Sequence, residues 1–218
     1  MVSGARQDGP VNTQTVPTPA GDARVHWHPA PKARLVLALG HGAGGGVEAR
    51  DLAALAAALP ARGVTVALVE QPWRVAGKKV APAPATLDKG WRALWPELAA
   101  RGVPVVAGGR SAGARVACRT AAELGAAGVL ALSFPLHPPG KADRSRADEL
   151  LGAGVPLLVV QGARDPFGRP EEFPAGTAPV AVPGADHGFA VARSAGVTQE
   201  DALALIVRAA GEWLAGLP

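Results

Sequence analysis

A serine near the middle of the chain has the surroundings of a nucleophile. Ser111 lies between Gly109 and Gly113 in the pattern G-x-S-x-G, after an apolar run and before a segment with helical spacing. The pattern predicts a sharp strand-to-helix turn that exposes the hydroxyl, with glycines where neighbouring backbone passes close by. N–H groups at the start of the helix would stabilise negative charge at the site. The alternative is a plain glycine-rich turn leaving a strand.

A base and an acid follow later in the chain. A serine hydroxyl needs a base to take its proton, and the base needs a carboxylate to fix its tautomer. Asp165 follows the apolar run Val155 to Val160, and His187 follows the next such run. Because the ends of parallel strands share one sheet edge, we expect Ser111, Asp165 and His187 to converge there. Asp186 competes as the acid, but adjacent side chains rarely converge, so we favour Asp165; a turn aspartate and a loop histidine are the alternatives.

An acyl intermediate also needs backbone N–H donors for its negatively charged oxygen. We expect one donor from Ala112, the residue after Ser111, and one from Ala43, in the glycine-rich turn that follows the first apolar run. We expect the flanking Gly42 and Gly44 to contact substrate and His41 to support the loop by hydrogen bonding. A phosphate-binding loop is the alternative, but the turn lacks G-K-[ST] and fits the G-x-G-x-x-G spacing poorly.

Other side chains near these residues have two readings each. Arg110 could bind an anionic group of the substrate or form a structural salt bridge with a nearby acid. Trp73 and Phe189 could form walls of a substrate pocket or belong to the core. His26 and His28 alternate on one face, but two histidines without a third ligand favour surface residues over a metal site. The expected chemistry requires no metal and no cofactor.

The apolar pattern from Arg34 onward predicts the framework that positions these residues. Short, near-continuous apolar runs are typical of strands buried on both faces of a parallel sheet, and helix-sized segments lie between most of them. This pattern predicts a doubly wound α/β sheet that is mostly parallel and flanked by helices. Before it, Val11 to Val16 and Ala23 to Trp27 predict an antiparallel hairpin. The predicted sheet strands are Leu35–Leu39, Val64–Val69, Val103–Ala107, Val129–Phe134, Val155–Val160 and Pro179–Val182.

Four segments carry apolar residues at helical spacing. Within the second of them, Pro96 predicts a kink or a restart of the helix. Thr198 and Asp201 predict a capping box before the last helix, whose core face would be Ala202, Ile206, Ala209 and Trp213. The segments run from Leu52 to Leu59, from Leu87 to Leu98, from Val116 to Leu124 and from Ala202 to Trp213.

The composition indicates a globular protein and argues against several classes of partner. The chain has 218 residues, 48% of them hydrophobic, which suits one globular domain over residues 1–218 with a loose N-terminal segment at residues 1–9. The net charge of +4 is scattered and forms no stripe that would bind nucleic acid. The single cysteine, Cys118, allows no internal disulfide and is expected in the core. Without a signal-like or membrane-spanning apolar run, we expect a cytoplasmic protein with no membrane partner.

The motifs together resemble the α/β-hydrolases, in which serine, acid and histidine follow in this order. Three segments more specifically resemble a family of small, capless α/β-hydrolase-like domains, related to dienelactone hydrolases and including a subunit of an animal histone-acetyltransferase complex. The resemblance runs from about Arg34 to the C-terminus. It implies an α/β-hydrolase fold with no large lid domain and a Ser-His-Asp site, but no settled substrate. The segments are Gly108–Gly113, Phe134–Gly140 and Gln161–Gly168.

The expected function is hydrolysis of an ester-like bond in a small acyl substrate, whether carboxylic ester, lactone or thioester. Dienelactone hydrolases have a cysteine nucleophile where this chain has Ser111, so their substrate is not carried over. Members of the resembled family thought to be scaffolds imply one alternative, a non-catalytic interaction domain with this fold. The other is an acyltransferase or thioesterase that uses the same three side chains.

Overall fold

The computed structural model describes residues 12–217, and its eight strands form one sheet. The expected loose segment at residues 1–9, and Val11 of the hairpin, lie outside the described residues. Along the sheet the order is β1-β2-β4-β3-β5-β6-β7-β8. The strands are β1 Asn12–Thr18, β2 Gly21–His28, β3 Leu35–Gly40, β4 Val64–Glu70, β5 Val105–Arg110, β6 Val129–Leu132, β7 Leu157–Gly162 and β8 Val180–Val182.

Strand direction follows the sequence pattern. The predicted hairpin forms, with Asn12 opposite Trp27 and Thr18 opposite Gly21, and β2 then pairs antiparallel with β4. From β4 to β8 every neighbouring pair is parallel. The carboxyl ends of β3 to β8 therefore share one edge of the sheet, and ligands of open α/β sheets bind at that edge.

Helices cover both faces of the sheet, which confirms the doubly wound α/β architecture. One apolar layer packs α3, α4 and α5 against the sheet, and the other packs α1 and α6 against the opposite face. Successive residues of β3 alternate between the layers, with Val36 and Ala38 in the first and Leu35 and Leu37 in the second. The helices are α1 Arg50–Ala58, α2 Pro72–Val75, α3 Pro84–Ala99, α4 Ala112–Thr120, α5 Ala147–Leu151 and α6 Gln199–Ala215.

Four strands extend further toward the shared edge than their apolar runs predict, and two of them, β3 and β4, do so by one residue each. β5 begins at Val105 and runs through Arg110, because Gly108 and Gly109 stay in register with Leu39 and Gly40. Likewise β7 runs to Gly162. These edge residues are small or polar, so hydrophobicity does not mark them as strand.

Two helices differ from their predicted form. α3 continues through Pro96, where a kink or restart was expected. Pro96 stands in the last turn, so its missing N–H removes a single hydrogen bond near a helix end. α4 ends at Thr120 and the chain continues as a turn to Gly125, whose φ is +64°. The segment predicted as helix up to Leu124 is therefore shorter.

The last helix has the predicted cap but a different buried stripe. Thr198 Oγ1 accepts a hydrogen bond of 3.0 Å from the Asp201 N–H, and the Asp201 carboxylate accepts from the Thr198 N–H, as the capping box requires. Ala202 and Ile206 are buried as predicted. The stripe then continues through Ala210 and Leu214, and the predicted Ala209 and Trp213 are half-buried at its margin.

The cysteine and the two histidines singled out in the sequence differ in how deeply they are buried. Cys118, on α4, is buried in the core as predicted, and burial raises the pKa of its thiol to about 12. His26 and His28 are both half-buried, with the His26 ring beside Thr13 and Glu70. Among residues 12–217 no three His, Cys, Asp or Glu side chains are grouped to hold a metal ion. Within the same range no helix is long and apolar enough to cross a bilayer.

Candidate active site

The turn between β5 and α4 holds Ser111 in a conformation that serines rarely adopt. Its φ of 53° and ψ of −110° direct the chain sharply from strand into helix, while its N–H still donates to the carbonyl of Leu132 at 3.0 Å. A non-glycine residue with positive φ is typical of a strained functional turn. This is the geometry of a nucleophile elbow, with the hydroxyl at its tip.

Two glycines permit the elbow because another strand end touches it. A Cβ on Gly109 would lie 2.5 Å from the carbonyl oxygen of Gly40, and a Cβ on Gly113 would come still closer to the same oxygen. Real Cβ atoms essentially never approach a neighbour within 3.0 Å. The two glycines of the G-x-S-x-G pattern are therefore required because the end of β3 packs closely against the turn.

We expect Gly113→Ala to lower the free energy of unfolding by about 3 kcal/mol or more, because the added methyl group forces backbone apart. Urea unfolding followed by tryptophan fluorescence measures the change. Gly44→Ala is the matched control, since its Cβ would meet nothing within 4 Å, and it should leave stability within about 0.5 kcal/mol of the parent. An unfolding midpoint for Gly113→Ala equal to the control's would contradict the tight contact.

The structure brings the predicted serine, histidine and acid together at the shared edge. His187 Nε2 lies 2.9 Å from Ser111 Oγ, and His187 Nδ1 lies 2.8 Å from Asp165 Oδ2. An ionised carboxylate only accepts hydrogen bonds, so the proton is assigned to Nδ1. Nε2 is then the acceptor that faces the serine hydroxyl, which is the tautomer a general base needs.

Asp165 is fully buried and its oxygens are hydrogen-bonded. Oδ1 accepts the N–H of Phe167 at 2.8 Å, and Oδ2 accepts from Gln161 Nε2 at 2.8 Å as well as from His187. These donors compensate the cost of burying a charge. The ring of Phe167 also packs on the imidazole of His187, with centroids 4.2 Å apart. Gln161 and Phe167 both lie in the segment Gln161–Gly168 that resembles the family, but the sequence predicted no role for either of them.

Asp186, the other candidate for the acid, makes its hydrogen bonds within its own turn. Its Oδ1 accepts the N–H groups of Gly188 at 2.7 Å and Ala190 at 2.8 Å, and the residue is exposed. The side chain closes the turn that carries His187 and does not bond to the imidazole. The geometry therefore favours Asp165 over Asp186 as the histidine's partner.

Arg110 links the histidine turn to helix α1. Its Nη2 donates to the carbonyl of His187 at 2.7 Å, and its Nε lies 3.4 Å from Oδ1 of the fully buried Asp51. Burial raises the pKa of the Asp51 carboxyl, and the positive charge of Arg110 opposes that rise. Of the two readings of Arg110, the structure contains the salt bridge. Nothing in the sequence marks Asp51 as its partner.

The predicted oxyanion-binding residues line one small space beside Ser111. Ala43, in the loop after β3, and Ala112, the first residue of α4, both border it. Gly42 packs against the elbow, since a Cβ there would lie 3.4 Å from the Cβ of Ser111. Gly44 projects into open space. The roles of Ala43 and Ala112 as donors, and of Gly42 and Gly44 as substrate contacts, stay predictions.

His41 holds the loop that carries Ala43. It is buried, and its Nε2 accepts the N–H of Gln71 at 3.0 Å. Its Nδ1–H therefore donates to the carbonyl of Gly42, 2.9 Å away. Burial lowers the pKa of His41, which favours this neutral form. The ring ties the end of β3 to the end of β4.

The two aromatic residues that were candidates for a pocket wall, Trp73 and Phe189, lie in different surroundings. Phe189 is fully buried in the layer beneath the sheet with α1 and α6, so its ring belongs to the core. Its φ of 50° turns the backbone there just after His187. Trp73 is also mostly buried, but it borders the space next to Ala43, with its ring centroid 5.5 Å from that of His41. Only Trp73 of the pair lies where a substrate could touch it.

A protein-family profile matches most of the sequence. The profile of a family described as "Alpha/beta hydrolase domain" matches residues 31–215. The chain belongs to this α/β-hydrolase family. The match covers the strands that carry all three converging side chains, and it leaves out the β1–β2 hairpin of the α/β-hydrolase. A search of curated proteins finds no significant match.

Solved structures similar to this α/β-hydrolase show the same fold. An α/β serine hydrolase homologue from Coxiella burnetii has a TM-score of 0.71 at 16% identity, covering 90% of this chain and 96% of its own. A serine hydrolase without lid from Xanthomonas campestris has a TM-score of 0.70 at 20% identity, covering 95% and 97%. A dienelactone hydrolase from Anabaena variabilis has a TM-score of 0.71 at 17% identity, covering 95% and 98%.

Proposed function

We propose that this α/β-hydrolase cleaves an ester-like bond through an acyl-enzyme formed on Ser111. The observation that carries the proposal is the pair of hydrogen bonds made by His187, one to Ser111 at 2.9 Å and one to Asp165 at 2.8 Å. A nucleophile, a base and an orienting carboxylate within hydrogen-bond distance are the requirement for nucleophilic catalysis by serine.

The chemistry proceeds in two acyl-transfer steps. His187 Nε2 takes the hydroxyl proton while Ser111 Oγ attacks the carbonyl carbon, and the resulting oxyanion is held by backbone N–H groups of Ala112 and Ala43. The imidazolium then protonates the leaving group as the carbon–oxygen or carbon–sulfur bond breaks. A water molecule, deprotonated by the same imidazole, attacks the acyl-enzyme and releases the acid. Asp165 keeps the imidazole oriented and stabilises its positive charge.

The names of the similar structures agree with this chemistry. They include a serine hydrolase homologue, a serine hydrolase without lid and a dienelactone hydrolase. The identities of 16–20% support the fold, and the proposal itself rests on the side chains of this chain. The expected substrates are small carboxylic esters, lactones or thioesters.

A fluorophosphonate probe tests the proposal directly, because it phosphonylates only a serine activated by its base. We expect the parent protein to be labelled and Ser111→Ala to remain unlabelled. Ser145→Ala is the matched control, because Ser145 is an exposed serine outside the site, and it should label like the parent. A parent protein that takes up no label, although folded, would favour the non-catalytic interaction domain.

A further inference from the structure

A second cavity lies beside the candidate active site, between the β1–β2 turn, α2 and the start of α3. Its volume is about 350 Å³ and its walls are mostly apolar, formed largely by Pro72, Trp73, Val75 and Leu87. That volume is in the range of small-molecule binding pockets. We call it the Gln71 cavity, after the polar residue at its inner wall.

The Gln71 cavity adjoins the oxyanion loop. The small space bordered by Ala43 and Ala112 is also bordered by Gln71, Trp73 and Leu87, which are shared with the cavity. These three residues form a partition that separates the small space from the Gln71 cavity. The small space is too narrow to hold a water molecule, so an acyl chain passes from Ser111 into the cavity only when the partition shifts.

Gln71 carries an unpaired buried acceptor in that partition. Its backbone N–H donates a hydrogen bond to His41 Nε2, and the residue is only 3% exposed. Within residues 12–217 its side-chain oxygen finds no hydrogen-bond partner. Buried polar atoms in folded proteins are nearly always paired, so an unpaired oxygen on a residue that lines a cavity points to a donor supplied by a ligand. This oxygen is itself shielded from solvent, so a ligand reaches it only when the partition shifts.

The sheet order indicates which part of a substrate reaches Gln71. His187 protonates the leaving group, so the leaving group lies on the side of Ser111 where His187 stands, toward β7 and β8. The acyl group therefore extends the other way, toward β3 and β4. Gln71 follows β4 directly, on that side.

We propose that the Gln71 cavity binds the acyl part of the substrate, and that this part carries a hydroxyl or N–H group which donates to the Gln71 side-chain oxygen. The apolar body of the acyl group packs against Trp73 and Leu87. This inference rests on the proposed hydrolase function and names its substrate class: esters of acids that are apolar near the carbonyl and carry a donor further along.

Matched esters test the inference. p-Nitrophenyl esters of straight-chain acids with a terminal hydroxyl, from six to ten carbons, are compared with the esters in which a methyl group replaces that hydroxyl. We expect kcat/KM of the parent protein to favour the hydroxyl ester by about tenfold at one chain length at least. Gln71→Leu should remove that preference, because leucine presents no acceptor. Gln14→Leu, the same change at a glutamine outside the cavity wall, should keep it.

The outcomes separate the two proposals. If the parent hydrolyses p-nitrophenyl acetate but shows no preference for a hydroxyl at any chain length, the Gln71 inference is wrong and the hydrolase stands. A preference that survives in Gln71→Leu also overturns it. If the parent hydrolyses neither acetate nor the longer esters, the hydrolase proposal itself fails. The parent's own preference is decisive even if Gln71→Leu does not fold.

Discussion

Turnover of p-nitrophenyl acetate should fall by about 10⁴-fold or more when Ser111 is replaced by alanine. The substitution removes the atom proposed to form the acyl-enzyme, and within residues 12–217 no other hydroxyl lies within hydrogen-bond distance of His187 Nε2. Release of p-nitrophenolate under steady-state conditions measures the loss. What remains would be the background that ordered N–H groups give to attack by water.

The interpretation of Ser111→Ala depends on an intact fold. Alanine adds no atoms at the elbow, so we expect unchanged circular dichroism and a similar unfolding midpoint. Ser145→Ala, at an exposed turn, should hydrolyse the ester at the parent's rate. If Ser111→Ala retained the parent's kcat, another residue would have to carry the reaction and the assignment of the nucleophile would be wrong.

Asp165→Asn should lower kcat by about 10⁴-fold, although it changes only one atom of the carboxylate. Asp165 accepts from Phe167, Gln161 and His187 and donates to none of them. An asparagine there must direct its NH₂ group toward at least one of these donors. If the NH₂ faces His187, it stabilises the tautomer with hydrogen on Nε2, which cannot accept the serine proton.

The adjacent Asp186→Asn is the control for Asp165→Asn. Asp186 accepts both of its hydrogen bonds through a single oxygen, which an asparagine carbonyl can replace. We expect its kcat to stay within about threefold of the parent's. A large loss in Asp186→Asn together with a small loss in Asp165→Asn would exchange the roles of the two acids. Steady-state kinetics on one ester and thermal unfolding of both variants provide the comparison.

The sequence was informative wherever a local constraint forced a residue type. Gly109 and Gly113 were predictable because any side chain would collide with Gly40, and Ser111 between them marked the turn. Asp165 and His187 followed because both come directly after strands of a parallel sheet. The hairpin and the capping box at Thr198 were likewise predicted from short-range patterns.

What the sequence did not predict depends on contacts between distant segments. Gln161 and Asp51 act through partners that only the folded sheet brings near. Gln161 begins a segment that resembles the family, but the pattern does not show that its amide donates to Asp165. The direction of Phe189 depends on a positive φ that no residue type at that position signals. The limit of strand β5 was missed because hydrophobic periodicity fades where residues become small or polar near the sheet edge. The end of α4 was missed because an apolar residue at helical spacing, Leu124, lies in the turn beyond Thr120.

The salt bridge between Arg110 and Asp51 has a consequence for how this protein can change. Asp51 belongs to a helix beneath the sheet, yet through Arg110 it is linked to the backbone carbonyl of His187, the proposed base. Substitutions in that underlying helix would therefore reach the chemistry without touching a substrate. A lineage that loses Arg110 leaves the Asp51 carboxyl buried without its counter-ion, while His187 keeps its imidazole contacts and the turn that Asp186 closes.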